Sequence, residues 1–212
     1  MNTKINSIAF LLVLTLLSCK KEQTFSDYQY TDKGMVLNCE SIDTKLYNEA
    51  LFAFEDDIVN YYSKDKPTQV RAFSQFVRDA VNNRAKYADM VSPHTLKVFQ
   101  ALKNEADLWD TNNPKSHLNY NSTFFKCIAS NIQDNDLKTT LNALVSTNSM
   151  SPKLFGTPLT SQYSLALKDK YLAAYMAFDL FYAKLYDVDL SRVNMEKPKA
   201  PVDFNKVPNT AQ

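Results

Sequence analysis

Glycine is nearly missing from this chain: of 212 residues, only Gly34 and Gly156 are glycine. Phosphate-cradling loops, dinucleotide folds and glycine-turned β-proteins need more of it, so those classes are set aside. Histidine is as scarce. His94 and His117 fall in a helix-start region and a loop, and neither belongs to a Glu-x-x-His or His-x-x-x-His pattern. A bundle metal site of the di-iron kind therefore has no ligand set, and both histidines read as surface or capping residues. There is no Cys-x-x-Cys-His haem attachment, no Gly-x-Ser-x-Gly elbow and no Ser-x-x-Lys pair in a suitable context. The sequence thus presents no catalytic set, no metal ligands and no cofactor. Trp109 is the single tryptophan, few for an aromatic surface that takes up glycans.

What is abundant is aromatic bulk of another kind, 12 Tyr and 13 Phe, enough to fill a core. Low glycine suits helices, where glycine costs about 1 kcal/mol relative to alanine. Leu46, Ala50, Leu51, Phe54, Ile58 and Tyr61 recur at steps of three and four, predicting a helix over about 41–62 with one apolar face. Pro67 marks the start of a second, whose period runs from Val70 through Phe73, Val77 and Val81 to Ala88. Ser92 before Pro93 is a capped start for a third, which is expected to end near Trp109. Residues 110–121 read as a loop, with shorter helices at about 122–132 and 135–147. Pro152, Gly156 and Pro158 predict another loop, and a very apolar last helix covers about 161–187. No segment alternates at period two. The expected fold is all-α, a single bundle of five or six helices over 39–190, followed by a proline-bearing tail over 191–212.

The first residues carry a different signal. Lys4 is followed by an apolar run from Ile8 to Leu17 broken only by Thr15. Ten residues of helix reach ~15 Å, about half of a bilayer core, so the run reads as a secretory signal and not a span. It ends in Leu16-Leu17-Ser18-Cys19, which resembles the lipobox of bacterial lipoproteins. That resemblance implies removal of residues 1–18, a diacylglycerol on the Cys19 thiol, acylation of the new amino terminus, and a lipidated tether over 19–38. Because Lys20 and not Asp follows Cys19, the family's sorting rule implies the outer membrane, with the protein held to it through its N-terminal lipid. Cleavage takes Lys4 and leaves 23 cations against 23 anions, a balance with no electrostatic footprint for nucleic acid.

With Cys19 consumed by lipid, Cys39 and Cys127 are the two remaining thiols. In an exported compartment they are expected to form a disulfide. Glu55-Asp56-Asp57 reads as a solvated face, since successive helical residues point about 100° apart. Asp179 stands out in the apolar last helix, with Tyr175 and Tyr182 at four and three steps. A buried carboxylate needs partners, and these three residues are the candidate binding positions should a pocket surround the last helix. The functional expectation is a non-catalytic, membrane-anchored envelope lipoprotein that binds a protein partner as an accessory or scaffold subunit. The alternative is a small-molecule, glycan or peptide binder, or an unfamiliar enzyme.

Overall fold

The structure, a computed structural model, describes residues 25–193. Cys19, the expected signal segment, the first part of the expected tether and the expected tail from residue 194 lie outside the described residues. The all-α expectation holds: the described residues contain eight α-helices and no strand, with one isolated bridge between Trp109 and Leu118. The helices are α1 (Lys45–Tyr62), α2 (Gln69–Val81), α3 (Tyr87–Met90), α4 (Pro93–Leu102), α5 (Thr123–Asn131), α6 (Asn135–Ser146), α7 (Pro152–Gln162) and α8 (Lys170–Tyr175). The last of these runs on without a break through a π-helical turn, Met176–Phe181, and a 3-10 segment, Tyr182–Asp187.

Starts follow local chemistry. Ser92, Ser122, Asp134 and Ser151 each accept a hydrogen bond from the third backbone N–H beyond them, opening α4, α5, α6 and α7. Elsewhere four sequence expectations are corrected. The second helix stops at Val81 and not near Ala88, because Asn83 takes a left-handed conformation (φ 54°) that asparagine tolerates. The third stops at Leu102, not near Trp109, and the Trp109 indole N–H returns to cap the Leu102 carbonyl at 2.7 Å. The segment expected to be a loop around Pro152, Gly156 and Pro158 is α7. Pro152 occupies its first turn, where no N–H is needed. The last helix accordingly begins at Lys170, where both Tyr171 N–H and Leu172 N–H donate to Asp169, and not at residue 161.

Two elements form the centre. From Leu172 to Ala183 every residue of the last helix is buried, packed on α5 first and then on α1 and α2. α1 is also enclosed on nearly all sides, not on one apolar face, and its buried set includes Asn48, Glu49, Glu55 and Asp57. Each of these polar side chains holds another segment. Asn48 accepts from the Val36 and Leu37 amides at 2.8 and 2.9 Å and donates to the Leu37 carbonyl. Glu49 accepts from the Gln29 and Tyr30 amides. Lys170 donates to Glu55, and the Ser92 amide donates to Asp57. The expected solvated acidic face is thus corrected at Glu55 and Asp57, while Asp56 is exposed.

Residues 25–38 therefore lie against the body as a strap, with Leu37 fully buried. The strap ends at the Cys39–Cys127 disulfide, whose Cα atoms are 5.8 Å apart, and which ties it to α5.

Candidate functional site

The strap, the start of α1, the turn after α4 and the start of α5 enclose a groove of about 420 Å³. Phe25 and Tyr28 come from the strap, Ile42 and Asp43 from the approach to α1, and Leu46 and Tyr47 from its first turn. Glu105, Asp107 and Leu108 follow α4, and Phe124 opens α5. The Tyr47 and Phe124 rings stack with centroids 4.1 Å apart. Both are backed by Phe178 of the π turn, at 5.8 and 4.7 Å. The floor of the groove is thereby set by the central helix, which makes it a rigid surface.

The polar part of the lining has one sign. Asp43, Glu105 and Asp107 are its charged residues, and no lysine or arginine lines it. Each carboxylate has a neutral donor: the Lys45 amide for Asp43 (2.9 Å), the Tyr47 hydroxyl for Glu105 (3.2 Å) and the Thr123 amide for Asp107 (2.8 Å). None of the three forms an ion pair among the described residues. Their field reaches the rings. Burial raises the Tyr28 pKa, and Asp43, Glu49 and Glu105 push it further up. Burial likewise raises that of Tyr47, with Glu105, Asp107 and Asp43 adding to it. At the rim, the Lys45 ammonium lies over the Tyr28 ring, 4.0 Å from its centroid.

A second cleft, about 190 Å³, carries the opposite sign. Lys115, Lys153 and Lys184 line it together with Asn83, Tyr87 and Ser151.

The sequence candidates fall elsewhere. Tyr175 and Asp179 do meet: the Tyr175 hydroxyl donates to Asp179 Oδ2 at 2.7 Å. Ser116 and Tyr120 donate to Oδ1 at 2.5 and 3.0 Å. Tyr182 is not in this cluster; its hydroxyl donates to the Ala50 carbonyl at 3.0 Å. The π turn, closed by i→i+5 bonds, takes more residues per turn and so shifts the register of whatever follows Phe181. All three residues are fully buried, and none lines either cleft. The histidine reading is corrected at His94, which is buried with Nε2 2.7 Å from Glu49 Oε1. His117 is partly covered and pairs with Asp187 at 3.0 Å. Among the described residues, no group of three or more His, Cys, Asp or Glu side chains is placed to hold a metal ion.

Comparisons of the chain with protein-family models, with curated proteins and with solved structures give no match.

Proposed function

We propose that this chain is a lipid-anchored lipoprotein of the cell envelope that holds a protein partner and carries out no covalent chemistry. The observation that carries the reading is the origin of the groove wall. Phe25 and Tyr28 belong to the strap, and Phe25 follows the lipobox cysteine, Cys19, by only six residues. Six extended residues span at most roughly 20 Å, so a lipid on Cys19 keeps the groove within that reach of the membrane surface. Such confinement raises the effective concentration of any partner held in the same membrane. The lining supports recognition: rigid aromatic anchors with polar groups at the margin make a protein contact. The outer membrane is the proposed address, on the strength of Lys20 after Cys19. A small ligand is the second reading, favoured by a groove volume within the range of ligand pockets.

One experiment in the native envelope separates these. Cys19→Ser should abolish palmitate labelling and leave the precursor uncut. In the lipidated protein, a photo-crosslinker at Ile42 should trap a stoichiometric protein, and one at the exposed Val70 outside the groove should not. Persistent label on the Cys19→Ser protein removes the anchor. Equal trapping at both positions removes the groove, and a co-purified small molecule without any protein adduct selects the second reading.

A further inference from the structure

We propose that the groove recognises a basic side chain, lysine or arginine, on the partner protein, with its cationic head among Asp43, Glu105 and Asp107. Resting on the partner-binding reading above, the inference specifies the chemistry of that contact. The groove mixes apolar and aromatic side chains with polar ones, and its charged positions are all acidic. Its three carboxylates have neutral donors and no ion-pair partner among the described residues. A carboxylate that accepts one hydrogen bond retains lone pairs for further donors, and an incoming cation supplies both donors and charge. Phe25, Tyr28, Ile42 and Leu46, each only half-buried, offer apolar surface for the methylene stem, and the buried Tyr47, Phe124 and Leu108 back it. Long basic side chains bury their stems in this way while the head stays polar.

The protein itself displays the preference at the rim. Lys45 places its ammonium 4.0 Å from the Tyr28 ring centroid, inside the distance at which a ring face attracts a cation. Tyr28 lies in the field of Asp43 and Glu105, which adds to that attraction. Lys45 is thus a resident cation at the edge of the groove, on a flexible stem and exposed. A partner's cation would share the same field and be partly repelled by it.

Other carriers of a cation fit less well. A phospholipid headgroup brings an ammonium close to its own phosphate, and that phosphate would face three carboxylates. Like-charge juxtaposition of this kind excludes a partner as effectively as attraction selects one. An isolated ammonium would also leave much of a 420 Å³ groove unfilled, whereas a lysine or arginine arrives with its stem and its neighbours.

The test uses the full lipidated protein in neutral detergent and an acetylated, amidated penta-arginine peptide as probe. Fluorescence anisotropy of the dye-labelled peptide should report salt-sensitive binding, with the pentaglutamate peptide and the soluble headgroup glycerophosphoethanolamine as opposed arms. Glu105→Gln and Asp107→Asn keep a hydrogen-bond acceptor in place, so the fold is retained while one charge is removed. At the half-buried Glu105 this change should weaken peptide binding by roughly 3–10-fold, and at the exposed Asp107 by roughly 2–5-fold. Lys45→Met should tighten it, because a competing cation has gone. Asp43→Asn serves as a third variant should either of the others melt early. No binding at millimolar peptide, equal binding of pentaglutamate, binding of glycerophosphoethanolamine alone, or indifference to all three carboxylate changes would each overturn the proposal. If a partner is still trapped at Ile42 under any of those results, the partner-binding reading survives and only the basic-residue chemistry falls.

Discussion

Asp179 is a charge-capable group placed where no water reaches, and its surroundings tell what it is for. Ser116, Tyr120 and Tyr175 donate three hydrogen bonds to its two oxygens, from the 110–121 loop and from the helix itself. Burial raises its pKa; the hydrogen bonds and the charge of Lys184 pull the other way and do not cancel it. Between the ordinary carboxyl range and that raised value, the folded chain keeps a proton that the unfolded chain has already lost. Stability from this site is therefore fully present at low pH and declines as pH rises through the raised pKa. Asp179→Asn removes the titration and keeps a polar group of the same shape, with hydroxyl partners that can either donate or accept. Urea melts from pH 4 to pH 8 should show the variant gaining on the parent as pH rises. Parallel stability profiles across that range would exclude the account. Asp179→Leu is a different change, because it strands three hydroxyls in the core and should cost about 3 kcal/mol.

At the scale of elements, α7 shows how packing overrides local preference. Proline inside a helix costs about 3 kcal/mol and glycine about 1, and α7 has Pro158 and Gly156 within eleven residues. Gly156 is there because α2 lies against it: a Cβ at this position would sit 2.5 Å from Val81 Cγ2. Gly156→Ala should therefore destabilise the protein by about 1–3 kcal/mol despite its better helix propensity. Adding Val81→Ala should recover part of the loss, and a Gly156→Ala chain as stable as the parent would contradict the contact. The contrast with the other helices marks what could be read in advance. Ser92, Ser122 and Asp134 signal helix starts through chemistry contained in four residues, so those starts were legible. Ser151 before Pro152 carries the same start signal as Ser92 before Pro93, but Gly156 and Pro158 speak against a helix beyond it, so α7 was not legible, nor was the end at Val81. The groove was hidden as well. Along the chain Asp43 falls in the first expected helix and Glu105 and Asp107 in the third, each an ordinary acid, and Tyr47 looks like any core aromatic of a helix. Only folding sets them around one space. Tyr175 with Asp179 was legible because four residues of helix separate them; Ser116 and Tyr120, from a distant loop, were not.

Across the whole molecule, the strap is joined to the body at several points. The strap starts beside the groove with Phe25 and Tyr28, is hydrogen-bonded to Asn48 and Glu49, and is fixed at Cys39 to Cys127 of α5. The disulfide spans a sequence separation of 88, so it removes much chain entropy from the unfolded state, about 4–5 kcal/mol in the chain-entropy model. It also bears on the site, since α5 supplies Phe124 to the groove three residues before Cys127. The strap and the helix that carry opposing parts of the groove are thus covalently joined just beyond it. Replacing both Cys39 and Cys127 by Ser should lower stability by about 4 kcal/mol, or roughly 10 °C in Tm for a chain of this size. The loss should not be uniform. Val36 and Leu37 amides, held by Asn48, should exchange with solvent faster than amides of α2, because the strap has lost its terminal fixing while the central helices keep their packing. Affinity for a basic peptide should fall in step with that exchange, as the Phe25 and Tyr28 wall loosens. A double variant that melts within a degree of the parent, with Val36 and Leu37 still protected, would mean that Asn48 and Glu49 hold the strap unaided.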